Sequence, residues 1–202
     1  MKLYHCHNAR SLRIRWALEE MGLDYELETL PFPPRVFAKH FKEINPLGTV
    51  PALIDGETMI TESAGGCEYL ATKYGPTPLA VTADEPSYGD YINWLHRSDA
   101  TLTFPQTIVL RYSALEPEER RLPQAADDYR KWFLARWRSV ETGLDGKDYL
   151  CADRFTMADI AVGFSFLLSQ ILGIEEAATP NVTAWWDSVS SREAYKRAAA
   201  SD

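Results

Sequence analysis

Two features of residues 45–63 bring chemistry close together. Val50-Pro51 stands before the apolar run Ala52-Leu53-Ile54. Proline cannot donate to a sheet ladder, so it belongs at a strand's first residue or at an edge. X-Pro bonds adopt cis at modest cost, and a cis bond here would turn the Val50 N–H and C=O outward, where an extended peptide could pair with them. Asp55-Gly56 then makes a two-residue hairpin turn. A short strand over residues 58–60 leads through Thr61-Glu62-Ser63 into a helical run over residues 64–74. The unpaired N–H groups and the dipole of such a helix start favour a carboxylate. A peptide edge and an anion site thus lie a few residues apart.

His5-Cys6-His7 invites a metal reading. On a strand the two histidines share a face and Cys6 points away, so the three do not converge, and no second cluster completes a tetrahedral set. No metal is expected, and Cys6 reads as a small buried residue.

The elements that must carry these groups follow from periodicity and punctuation. Residues 2–6 and 25–29 read as strands. Residues 10–21 read as a helix with Ile14, Ala17, Leu18 and Met21 facing a core and Arg13, Glu19 and Glu20 facing solvent. Leu30 to Pro34 is a proline-rich break, and residues 36–44 read as one short helix carrying Val36, Phe37, Phe41 and Ile44. The order β-α-β-α-β-β-α, with helical crossovers and a closing hairpin, predicts an α/β thioredoxin-like domain over residues 1–76. Residues 77–86 lose periodicity and read as a linker. Residues 87–202 read as all-helical. Tyr88, Tyr91, Ile92, Leu95 and Leu102 form a stripe with Asp99 on the same face, where an acid needs a partner such as Arg111. Pro105 is expected to kink or end that helix. Another helix runs from about residue 123 to 142. Thr156 and Asp159 have the spacing of a capping box, with Phe155 and Ile160 at its staple positions, before a nearly all-apolar helix over residues 160–172. Residues 181–189 and 193–200 close the chain as short helices, with Trp185 and Trp186 packing back.

Composition bounds the function. The 202 residues are 46% hydrophobic and 12% aromatic, enough for two small cores. A formal charge of -8 offers no basic stripe for nucleic acid. Three cysteines at unrelated spacings suggest free thiols and not a disulfide framework. No leader is evident, and the longest apolar run, residues 160–168, is too short to span a bilayer. The expectation is a soluble, cytoplasmic protein without a membrane partner.

Gly48-Thr49-Val50-Pro51-Ala52-Leu53, followed by Thr61-Glu62-Ser63, resembles the glutathione site of the cytosolic glutathione transferase family, and the cap-and-staple box extends the resemblance over nearly the whole chain. It implies a thioredoxin-like domain joined to an all-α domain, a homodimer of bacterial type, glutathione as co-substrate, and conjugation to a hydrophobic electrophile in a detoxification role. It assigns glutathione binding to Thr49, Val50, Pro51, Glu62 and Ser63, with Lys39 and His40 toward the glycyl carboxylate and Asp99 reaching across a dimer toward the γ-glutamyl amine. The reacting sulfur must lose about two pKa units, or about 2.7 kcal/mol, which one or two hydrogen bonds supply. Where relatives place Ser or Cys as the donor, this chain has Asn8, Ala9 and Arg10, followed by Ser11. Ser11, Asn8 and Arg10 are therefore the catalytic candidates; as plain structure, Asn8 or Ser11 caps a helix and Arg10 is a surface residue. Phe32, Phe104, Tyr112 and Phe166 are candidates to line an acceptor site expected between the domains, or are core. Disulfide reduction or peroxidase chemistry, or a non-enzymatic binding or docking role, are the alternatives that the missing Ser or Cys leaves open.

Overall fold

The computed structural model describes residues 1–200. Strand β1 (Lys2–His5) is followed by α1 (Ser11–Met21), β2 (Glu26–Thr29), the single turn α2 (Pro34–Phe37) with a 3-10 turn (Lys39–Glu43), β3 (Ala52–Asp55), β4 (Thr58–Ile60) and α3 (Ser63–Lys73). The four strands lie in the order β2-β1-β3-β4. β1 runs parallel to β2 and antiparallel to β3, and β3 pairs antiparallel with β4. This is the thioredoxin-like arrangement expected. Successive side chains of a strand point to opposite faces. Tyr4, Cys6 and Ala52 accordingly share one core with Phe41, Leu30, Ala38 and Val50, while His5 turns to the other face and meets Ser11 of α1.

The expected helix over residues 36–44 is broken in two. Ala38, at φ -130° and ψ 62°, separates α2 from the 3-10 turn, and only Phe41 of that turn is buried.

Helix α1 departs most from expectation. Residues Ser11 to Leu18 are all buried, Arg13 completely. The amphipathic reading assumed a single covered face. Two are covered, because α3 packs on one side and α9 (Glu193–Ala199) on another. Trp16 meets Tyr195 edge-on at 4.8 Å. Arg192 grips Glu20 with two bonds of 2.6 and 2.7 Å, and Arg197 bonds Glu19 at 2.7 Å. Contacts group the chain from Ser190 onward with residues 1–80, and residues 81–189 form the second unit.

The second unit is helical throughout. Helix α4 (Tyr88–Arg97) passes through a π stretch (Ser98–Thr103) into α5 (Phe104–Leu110) and a second π stretch (Arg111–Leu115). Pro105 does not end the run. It sits in the first turn of α5, where a missing N–H is tolerated, just after the wider π turns. Helices α6 (Pro123–Gly143), α7 (Met157–Ile171) and α8 (Pro180–Ser190) complete it. α7 is buried along almost its whole length, and Phe166 stacks on Trp137 at 6.0 Å. The capping box is formed as expected: Asp159 accepts from the Thr156 N–H at 2.9 Å, with Phe155 and Ile160 both buried. Asp159 also accepts from the Leu150 N–H at 3.1 Å and from Trp185 Nε1 at 3.0 Å. No helix among the described residues is long and apolar enough to cross a membrane.

Candidate functional site

Sheet register gathers the candidate segments of the first unit. Tyr4 pairs with Ala52, so the exit of β1 and the loop over residues 6–10 lie beside the entry of β3. Leu53 pairs with Ile60, so the exit of β4 and the start of α3 reach the same end of the sheet. Asn8, Arg10, Val50 and Ser63 therefore come from three segments that the strands bring to one end.

The Val50-Pro51 bond is cis. Independently of that, neither the N–H nor the C=O of Val50 has a hydrogen-bond partner among the described residues. The loop before it is held from within. Buried Asn45 donates from Nδ2 to the Thr49 carbonyl at 2.8 Å and accepts from the Leu47 N–H at 3.1 Å. Gly48 adopts φ +62°, and a Cβ there would come within 2.9 Å of Arg35 Cβ. Glycine meets both demands, the left-handed backbone and the close approach. The result is a fixed edge with free peptide groups.

At the start of α3, Glu62 is the N-cap but its side chain makes no capping bond, so the first-turn N–H groups are not taken by it. Ser63 is 2% exposed, and its Oγ accepts from Arg13 Nη1 at 2.8 Å. Sequence reasoning placed Arg13 in solvent and missed this contact. Its spacing carried a signal: Arg13, Ala17 and Met21 follow one another at i, i+4 and i+8 along one helix face. Lys39 and His40 are exposed on the 3-10 turn, and Thr49 is half-buried.

The catalytic candidates separate sharply. Ser11 has no exposed surface; its Oγ lies 2.9 Å from His5 Nδ1 and accepts from the Cys6 N–H at 3.2 Å. It closes the β1–α1 turn from inside and is not open to a bound thiol, which corrects the expectation for this residue. Asn8 is exposed and left-handed, at φ 58°, and Arg10 is half-buried as the N-cap of α1. Cys6 is fully buried, and burial pushes its thiol up to about 12.

Asp99, Phe104, Tyr112 and Phe166 belong to the second unit. Asp99 is half-buried in the first π stretch. Arg111, considered as its partner, instead bonds Glu116 at 2.8 Å. Phe166 is 2% exposed in the aromatic core, one of the two readings open for it, and presents no surface to an acceptor. Phe104 and Phe32 are exposed and Tyr112 is half-buried. No group of His, Cys, Asp and Glu among the described residues is arranged to hold a metal ion.

Known proteins share this fold. The family model described as Glutathione S-transferase, N-terminal domain, matches residues 1–72, and the one described as Glutathione S-transferase, C-terminal domain, matches residues 111–193. Among curated proteins, Glutathione S-transferase F9 of Arabidopsis thaliana is 29% identical, over 99% of this chain and 96% of its own. Glutathione S-transferase 3 of Schizosaccharomyces pombe is 26% identical, over 98% and 86%. Among solved structures, BphK, a bacterial GST in a ternary complex, superposes with a TM-score of 0.86 at 25% identity, covering 98% of both chains. A sphingomonad glutathione S-transferase complexed with glutathione shares the fold, at a TM-score of 0.85 and 23% identity over 98% of this chain and 97% of its own. With both domains present in order, the chain belongs to the glutathione S-transferase family.

Proposed function

We propose that this chain binds glutathione at the Val50–Ser63 edge and transfers its thiolate to a hydrophobic electrophile. The observation that carries the reading is the unpartnered Val50 N–H and C=O at the same end of the sheet as the start of α3. An extended cysteinyl backbone pairs with Val50 N–H and C=O as one more strand. The γ-glutamyl end meets Glu62, Ser63 and the first-turn N–H groups, and Lys39 and His40 are the cations for the glycyl carboxylate. Thr49 and Pro51 shape the edge, and Asp99 is reserved for the γ-glutamyl amine of a partner subunit's ligand. The crystallised relative that holds glutathione supports the same ligand here.

In the reaction the thiol proton leaves to solvent, and the sulfur electron pair forms a bond to an electrophilic carbon whose leaving group departs. With Ser11 sealed inside its turn, stabilisation of the thiolate falls to Asn8, a neutral amide donor, and Arg10, a permanent charge. Phe32, Phe104 and Tyr112 remain the acceptor-lining candidates. Homodimer assembly, a cytoplasmic location and a detoxification role belong to the same reading and rest on family membership.

Ultraviolet titration of the thiolate in the glutathione-bound protein tests it. A bound thiol ionised near neutral pH, together with conjugating activity, supports transfer; Asn8→Ala and Arg10→Ala then identify the activating group. The sealed Ser11 favours one second reading, a protein that binds glutathione without activating it for conjugation. Tight binding with a thiol pKa near the free value of about 8.5 selects that alternative. Disulfide reduction without conjugation selects reductase chemistry instead.

A further inference from the structure

The turn between β1 and α1 is fastened at its two ends by a pair of buried side chains. His5, the last residue of β1, is 2% exposed, and Ser11, the first of α1, is completely buried. Ser11 Oγ lies 2.9 Å from His5 Nδ1 and accepts from the Cys6 N–H at 3.2 Å. It also stands 3.4 Å from the Cys6 carbonyl, which accepts from the Ala9 N–H at 3.2 Å. A serine hydroxyl gives one proton and accepts two, and neutral imidazole carries one donor and one acceptor nitrogen. With Nδ1 as acceptor, Ser11 gives its proton to His5; with Nδ1 as donor, Ser11 receives that proton and turns its own to the Cys6 carbonyl. In both arrangements the serine bridges His5 to the Cys6 peptide.

Between these ends Cys6 and Ala9 are buried, but the two groups proposed to stabilise the thiolate have no anchors of their own. Asn8 makes no hydrogen bond with any described residue. The Arg10 side chain has no partner among the described residues either, and only its carbonyl is engaged, by the Arg13 N–H at 3.1 Å. Asn8 stands at φ 58°, a left-handed backbone that a residue with a side chain keeps only where its surroundings impose it. Asn8 and Arg10 therefore take their places from the backbone of the turn, and that backbone is held by His5 and Ser11.

We infer that His5 and Ser11 are positioning residues for thiolate stabilisation: their buried pair fixes the turn over residues 6–10 and so sets where Asn8 and Arg10 stand. The inference rests on the glutathione reading and deepens it, giving a part at the thiol end to two residues that touch no ligand. A misplacement of about 1 Å is enough to cost a reacting arrangement much of its effect. Loss of the bridge should therefore raise the pKa of the bound thiol, while binding through Val50 and the start of α3 stays.

The test is ultraviolet titration of the thiol in the glutathione-bound full chain, with S-methylglutathione, which has no thiol to ionise, as the probe of affinity by calorimetry. Ser11→Ala and His5→Leu are each expected to raise the bound thiol's pKa by about one unit, close to a tenfold loss of thiolate at neutral pH, and to leave S-methylglutathione affinity unchanged. His5→Asn, whose Oδ1 stands as many bonds from the main chain as His5 Nδ1, should keep most of the parent's pKa. In an Asn8→Ala, Arg10→Ala background, Ser11→Ala should shift the pKa no further, because it acts through those two residues. Asp159→Asn, in the second unit, controls for lost stability and should leave the pKa where it is. If His5→Leu does not fold, Ser11→Ala against His5→Asn carries the comparison. A depressed parent pKa that neither substitution moves, a shift that persists in the Asn8→Ala, Arg10→Ala background, one that Asp159→Asn reproduces, or a matching loss of S-methylglutathione affinity overturns the inference alone. A parent thiol that ionises near its free value of about 8.5 overturns thiolate stabilisation itself, and this inference with it.

Discussion

Asp159→Ala is the substitution whose effect the structure fixes best. The carboxylate is completely buried and accepts from the Thr156 N–H, the Leu150 N–H, Trp185 Nε1 and Thr156 Oγ1 at 2.9 to 3.1 Å. Removing it strands three N–H donors in the interior at about 2 kcal/mol each. Against that, burial holds the carboxyl at about 6, above its ordinary 3.8, so deleting the charge at pH 8 recovers about 3 kcal/mol. The net loss is about 3 kcal/mol, a large part of the 5–15 kcal/mol typical of a folded chain. Asp159→Asn keeps one carbonyl acceptor without the charge and should lose about 1 kcal/mol. Urea unfolding at pH 8, where the carboxyl is ionised in folded and unfolded chains alike, measures both. An alanine variant within 0.5 kcal/mol of the parent, or an asparagine variant as damaged as the alanine one, would refute the assignment of this carboxylate as the common acceptor that ties α7, α8 and the preceding loop together.

Gly66→Ala should cost about 1–3 kcal/mol by overpacking against Ile14, and Ile14→Val, which removes the clashing Cδ1, should restore part of it; an unchanged urea midpoint would show that α1 and α3 part freely. Asp55 accepts from Tyr74, Lys73 and Tyr69, which hold its carboxyl down at about 2. The depressed folded value means that its stabilisation is present above the unfolded 3.8 and is lost as pH falls through 2, so Asp55→Asn should flatten that acid limb, and parallel acid-unfolding curves would contradict it. All three cysteines are buried, with the thiols of Cys6 and Cys151 raised to about 12 and 11. A thiol reagent at neutral pH should find none of them until urea is added, and rapid native labelling of Cys6 would overturn the closed turn drawn around it.

The order of elements, the capping box, the strand entry after Pro51 and the helix start at Ser63 were legible because each is written in local chemistry. Proline at a strand entry, Asp-Gly between two short strands, and Thr156 three residues before Asp159 all act within a few positions of themselves. What was missed depends on neighbours far away in sequence. Arg13 was read as solvated because one apolar stripe was counted, whereas α3 takes up its guanidinium at Ser63 and α9, about 180 residues later, covers a further face of α1. The same burial decides Ser11. Its position at a helix start is shared by a cap and by a catalytic hydroxyl, and only the fold, by turning His5 inward on β1 to meet it, shows which way the hydroxyl is spent.

These two outcomes are linked through α1. The helix spends its hydroxyl inward at Ser11 and its guanidinium inward at Arg13, where it bonds Ser63, and only its cap and the turn before it stand nearer the surface. On the proposed reading, the anion end of the glutathione site is set by packed helices and its thiol end by exposed Asn8 and half-buried Arg10. Binding should consequently survive substitutions in the β1–α1 turn that abolish thiol activation, whereas substitutions at Arg13 or Ser63 should act on affinity first. Glutathione affinity and thiol pKa, measured on the same variants, separate the two ends; if they fall together at Asn8 or Arg10, the division of labour along α1 is wrong.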